Sequence, residues 1–92
     1  MTATLVRELD IVNEKGLHAR ASAKFVETVE RHDADAEVRR DGMTASGDSI
    51  MGLLMLAAFK GTSIEVETRG TQAAELMDAL SELVANRFGE TF

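Results

Sequence analysis

The sequence has 92 residues, 45% of them hydrophobic, and carries 10 Lys or Arg against 16 Asp or Glu for a formal net charge of -6. A chain of this length supports one modest core, so residues 1–92 are read as one domain without a separate substrate-binding lobe. Scattered cations on an acidic chain argue against nucleic acid or an anionic membrane as principal partner, and the lack of Cys excludes disulfides and thiolate metal sites.

Met1-Thr-Ala-Thr-Leu-Val-Arg-Glu has no basic start followed by an apolar run, and no segment reaches the length of a membrane span. A cytoplasmic protein with no membrane insertion is expected. Residues 3–12 place Leu5, Leu9 and Ile11 on one side at period two, the pattern of a half-buried strand, and 13–16 form the loop leaving it. From Ala19 to about Arg31, Ala19, Ala23, Val26 and Ala21, Phe25, Val29 recur at helical spacing. Residues 36–40 and 43–46 flank Asp41-Gly42, a tight-turn dipeptide, and read as a hairpin. Ser49 to about Phe59 is a helix-length apolar run opened by the capping pair Asp48-Ser49 and closed by Lys60-Gly61. Residues 63–68 alternate as a fourth strand, and after Gly70-Thr71 the set Leu76, Ala79, Leu80, Leu83 and Val84 falls on one helical stripe. The order β-α-β-β-α-β-α predicts an α+β fold, an antiparallel four-stranded sheet covered on one face by three helices, with the charged strand residues on the open face.

Gly16-Leu17-His18-Ala19-Arg20 straddles the junction between the first strand and the first helix. His18 is predicted at the helix N-cap, with Ala19, Arg20 and Ala21 in the first turn, where free N–H groups and the helix dipole favour a phosphate. Arg20 adds a guanidinium able to pair two phosphoryl oxygens, and a neutral imidazole is a nucleophile whose phosphoramidate is transferable. On these five residues alone, an ordinary exposed histidine at a helix start is the commoner case. His32, near the end of the same helix, reads as a residue favoured by the helix dipole, and with no Cys and only two His no metal site or other cofactor is implied. Ser49 reads first as an N-cap for the amide of residue 51 or 52. The second helix is apolar nearly all round: Leu53 and Leu56 are assigned to the core, and Ile50, Met51 and Leu54 to an exposed docking patch.

Taken together, Gly16-Leu-His-Ala-Arg20 and Ser49-Ile-Met-Gly52, about thirty residues apart in a chain of this size, resemble HPr, the histidine-containing phosphocarrier of the bacterial phosphoenolpyruvate-dependent phosphotransferase system. The resemblance spans essentially the whole chain. It implies that His18 is phosphorylated on Nδ1 by enzyme I and passes the group to enzyme IIA proteins, that Arg20 supports the phosphoryl group, and that Ser49 is a target of HPr kinase/phosphorylase. It also implies a monomer that is a substrate of these partners rather than an enzyme. Ala21 stands where the family usually has Pro, which keeps one more N–H donor in the first turn and leaves it slightly more mobile. Leu53-Leu-Met-Leu56, Lys60-Gly61 and Ile64-Glu-Val-Glu67 look more like the nitrogen-related branch than the sugar-uptake carriers. A different reading of the same residues is a regulatory binding module controlled at Ser49, with His18 incidental. An enzyme with its own substrate has little support, since neither a Gly-rich nucleotide loop nor a metal constellation is present.

Overall fold

Alternation along the strands divides the sheet into a dry face and a wet one. The computed structural model describes residues 3–91. Its elements are β1 (Ala3–Asp10), α1 (Ala19–Glu30), β2 (Asp35–Arg40), β3 (Met43–Ser46), α2 (Ile50–Met55), β4 (Ser63–Gly70), α3 (Ala73–Ala85) and a final 3-10 turn, Arg87–Gly89. The strands form one sheet in the order β1-β4-β2-β3, every neighbouring pair antiparallel. Leu9, Ala36, Val38, Ala45, Ile64, Val66 and Thr68 line the face covered by the helices. Thr68, the one polar member of that row, is satisfied there by donating its hydroxyl to the Ala73 carbonyl at 2.9 Å. The expected α+β sandwich, with helices on one face, is the observed architecture.

Charge fills the open face. Arg39 donates to Glu65 at 2.7 Å and to Glu67 at 3.1 Å, and Arg69 lies 3.9 Å from Glu37. Arg39, and then Arg69, hold the Glu67 carboxyl below its ordinary range. Each exposed pair is worth little alone; as a ladder across β2 and β4 they keep the open face from seeking an apolar partner.

On the covered face α1 buries Ala21, Phe25, Val26 and Val29, while Ala19 is exposed and Ala23 half-buried, so one of the two predicted helical rows reaches the core and the other only through Val26. Phe25 is fully buried, which contributes about 1.5–3 kcal/mol of transfer free energy. In α3 the buried set is Ala73, Leu76, Met77, Leu80 and Val84. Ala79 and Leu83 sit at the edge of the expected stripe, half-buried, and Met77 adds to it. Asp41 and Gly42 both adopt positive φ, 50° and 78°, the conformation that a two-residue hairpin turn requires.

The second helix is shorter than the predicted run to about Phe59. It ends at Met55, with Leu56 as C-cap and Ala57 left-handed at φ 51°. Its end tightens to i−3 bonds, from the Leu56 amide to Leu53 O and from the Ala57 amide to Leu54 O, and distant groups hold the carbonyls beyond: Arg40 Nη1 donates to Leu56 O at 3.0 Å and the Leu17 amide to Ala58 O at 2.8 Å. The left-handed turn at Ala57 and these tertiary bonds, which fix the path of 56–58, outweigh the intrinsic helix propensity of Leu56-Ala57-Ala58.

Candidate functional site

The loop leaving β1 folds tightly before α1 begins. Asn13 is fully buried, its carbonyl accepts from the Gly16 amide at 3.2 Å, and its Nδ2 donates to the Gly16 carbonyl at 2.8 Å. Gly16 has φ +64°, and a Cβ there would lie 2.5 Å from the Ala58 carbonyl oxygen. The chain therefore approaches the segment after α2 more closely than a side chain permits, and Leu17 seals the approach with its bond to Ala58.

This turn delivers His18 as the N-cap of α1 in extended backbone geometry. Its carbonyl accepts from the Ser22 amide at 2.8 Å, and its Nδ1 accepts from the Arg20 amide at 3.2 Å. A ring nitrogen that accepts an N–H holds a lone pair, so the proton of the neutral ring resides on Nε2. There it is donated to Oε2 of Glu90. Both contacts select the same tautomer. The unprotonated Nδ1 is left at the positive end of α1, among the first-turn amides of Ala19, Arg20 and Ala21. Ala21, predicted as the third phosphate-binding residue, is fully buried, backbone included, so a ligand reaches Ala19 and Arg20 but not Ala21.

Glu90 is held on its other oxygen by Asn13 Nδ2 at 2.9 Å. Its carboxyl titrates below the usual carboxylate range: the Asn13 hydrogen bond is the largest cause, the His18 hydrogen bond and the charges of His18 and Lys15 add to it, and burial opposes them. The His18 side chain is 26% exposed and that of Glu90 12%, so the pair is shielded while the ring remains reachable. Around them lies a cleft of about 510 Å³ lined by Lys15, His18, Ala19, Arg20, Lys24, Gly89, Glu90 and Thr91. Three cations meet one carboxylate there, on a chain of net charge -6. The Arg20 guanidinium has no hydrogen-bond or ion-pair partner among the described residues, unlike Arg39 or Arg69, and is available to a bound anion.

Ser49 is the N-cap of α2, its Oγ accepting from the Gly52 amide at 3.0 Å. Leu53 and Leu56 are buried as expected. Ile50 and Met51 are exposed and Leu54 half-buried, and Met55 and Phe59, which the predicted patch omitted, are exposed at 70% and 60%. Phe59 lies beneath the Arg40 guanidinium, 5.2 Å from it. His32 donates from Nδ1 to the Thr28 carbonyl at 2.7 Å and takes no part in the His18 cleft.

Asn13, Lys15, Lys24 and Glu90 were absent from the sequence-derived set. One signal pointed to the last of them: Phe88 continues the Leu80 and Val84 spacing of α3 and is followed by Gly89, a turn that carries the next residue back over the core.

Among the described residues no helix is long and apolar enough to cross a membrane. A family model described as the PTS HPr component phosphorylation site matches residues 5–86. The phosphocarrier protein HPr of Neisseria meningitidis is 48% identical over 86 residues, covering 94% of this chain and 97% of that protein. The phosphocarrier protein NPr of Klebsiella oxytoca is 36% identical over 88 residues, covering 95% and 98%. The crystal structure of HPr from Thermoanaerobacter tengcongensis superposes with a TM-score of 0.90 at 31% identity, covering 96% of this chain and 99% of that one. With His18 capping the first helix and relatives matched over nearly their whole length, the chain belongs to the HPr family of phosphocarriers of the phosphotransferase system.

Proposed function

We propose that the chain accepts a phosphoryl group on Nδ1 of His18 from enzyme I, itself charged by phosphoenolpyruvate, and passes it to an enzyme IIA protein in the cytoplasm. One observation carries this reading: Nδ1 is the lone-pair nitrogen of His18 and sits at the N-terminus of α1, in a cleft that Arg20 also lines. A nucleophile, a helix end suited to an anion and a cation for the developing phosphoryl charge thus share one cleft. Ile50, Met51 and Leu54, extended by Met55 and Phe59, supply an apolar face on which partners dock. Relatives named HPr and NPr both occur, and the higher identity to HPr favours a general carrier over the nitrogen-related role.

Incubation with phosphoenolpyruvate, Mg²⁺ and enzyme I is expected to yield an acid-labile, alkali-stable phosphate that is lost entirely in His18→Ala. A label that survives this substitution, or no label at all, overturns the carrier reading.

Ser49 adds regulation by HPr kinase/phosphorylase. A phosphate on Oγ would add about -1.5 to -2 charges at the start of α2, which the helix end tolerates, and would place that charge beside the docking face. Ser49→Asp is accordingly expected to slow enzyme I-dependent labelling of His18 while leaving the far-ultraviolet circular dichroism unchanged. Labelling rates equal to those of the unsubstituted protein would refute the regulatory role. A purely regulatory module leaves the unpartnered Arg20 and the oriented His18 ring without a purpose.

A further inference from the structure

Phosphoryl transfer from a histidine runs in two directions, and the ring must be a good nucleophile in one and a good leaving group in the other. We infer that Glu90, clamped by Asn13 and by the segment that follows α3, is a positioning residue that keeps the proton on Nε2 of His18 in both the free and the phosphorylated protein. The inference rests on the carrier reading above and assigns a task to a residue outside the helix-end motif.

The clamp is built from both ends of the chain. Asn13 Nδ2 gives its two hydrogens to the Gly16 carbonyl and to Glu90 Oε1, while its Oδ1 is buried without a partner among the described residues. An unsatisfied buried oxygen is costly, so the amide is oriented by what its donors hold. On the other side Arg87, Phe88 and Gly89 run through three consecutive left-handed conformations, with φ 57°, 54° and 80°. Phe88 is buried in the core, and its carbonyl accepts from Lys24 Nζ at 2.6 Å. A strained path anchored at one ring and one carbonyl thus carries Glu90 to the edge of His18 opposite Nδ1.

The chemistry balances without moving a proton. The Nδ1 lone pair attacks the phosphorus of the donor, the N–P bond to His18 forms as the donor's bond to phosphorus breaks, and the donor's leaving atom takes that electron pair. The ring keeps its Nε2 proton and becomes an imidazolium, whose charge Glu90 balances. On delivery the acceptor attacks phosphorus, the N–P bond breaks with its electrons returning to Nδ1, and the ring departs as neutral imidazole. Were the Nε2 proton lost in between, the ring would have to leave as imidazolate, a far poorer leaving group. The charged groups facing the ring are Glu90 from the post-α3 segment, Lys15 from the loop, and Arg20 and Lys24 from α1, together with the α1 dipole. All but Glu90 disfavour a positive ring.

The test is Glu90→Gln, which keeps the shape and removes the charge. Both proteins are phosphorylated chemically with phosphoramidate, so that the labelled state does not depend on enzyme I, and phosphoryl loss is followed against pH. The fall in rate on the alkaline side is expected to move about one pH unit lower in the variant, a tenfold slower loss at a pH above both midpoints. An unchanged thermal midpoint checks that the segment stays seated. Superimposable pH profiles would overturn the inference and leave the carrier reading intact, whereas failure of enzyme I to label the unsubstituted protein would count against the carrier reading alone.

Discussion

Phe88→Ala is expected to lower the free energy of unfolding by about 3–5 kcal/mol, the cost of removing a fully enclosed aromatic ring from a core that cannot collapse around the gap. Phe88 is 1% exposed and is among the largest fully buried side chains of the structure. A domain of 92 residues has roughly 5–14 kcal/mol of stability in total, so the loss is a large fraction of it. Local geometry makes the position more sensitive still. Arg87 and Phe88 are L-residues in the left-handed region, which costs about 1–2 kcal/mol each. Burial of the ring is what offsets that strain. Without it the segment after α3 relaxes, the Lys24 bond to the Phe88 carbonyl is lost, and Glu90 leaves His18. Urea denaturation followed by circular dichroism reads the stability. The pH dependence of phosphoryl loss from the folded variant, expected to resemble that of Glu90→Gln, reads the release. Phe88→Leu keeps most of the apolar volume and should cost clearly less. A loss below about 1 kcal/mol for Phe88→Ala would mean that the ring does not anchor the segment.

Gly16→Ala carries the second large effect. The left-handed backbone at φ +64° costs an L-residue about 1–2 kcal/mol, and the new Cβ would lie 2.5 Å from the Ala58 carbonyl oxygen and 2.7 Å from the Phe59 Cα. Both neighbours are backbone, so neither can swing aside. Separating them breaks the Leu17 to Ala58 bond and disturbs the Asn13 turn, and each buried group left unpaired costs about 1–3 kcal/mol. A destabilisation of about 3 kcal/mol or more is expected, together with a slower initial rate of enzyme I-dependent labelling, because His18 lies two residues further on. Gly42→Ala is the control. It shares the positive φ, at 78°, but its Cβ would meet nothing within 4 Å, so only the backbone strain of about 1–2 kcal/mol should appear. Equal losses at the two glycines would show that close approach to the segment after α2 contributes nothing.

Gly16 and Phe88 are 72 positions apart in the chain, yet both shape the surroundings of one imidazole. Gly16 and Asn13 set where α1 begins and therefore where Nδ1 meets the helix end. Phe88 and Lys24 set where Glu90 arrives and therefore which group meets Nε2. The motif Gly-Leu-His-Ala-Arg contains the imidazole but neither Asn13 nor Glu90, which are bonded around it.

Features governed by short-range physics were legible in the residues themselves. The alternation of 63–68, the Asp41-Gly42 turn and the stripe through Leu76, Leu80 and Val84 each encode an element within a few residues, and the order of elements follows from them. The N-caps His18 and Ser49 were readable for the same reason: a cap acts on amides two or three positions ahead, and it does so here at Arg20 and Gly52. Tertiary structure decided what depends on segments distant in the chain. Helix α2 stops at Met55, where the chain turns left-handed at Ala57 and Arg40 and Leu17 hold the Leu56 and Ala58 carbonyls on a path set by the tertiary structure. Glu90 meets His18 and Asn13 across separations of 72 and 77 residues, which no local pattern of spacing encodes. The place of His18 was thus determined locally, by a helix start, whereas the partner of its Nε2 was decided only by the tertiary packing that carries Phe88, and with it Glu90, back to the first turn of α1.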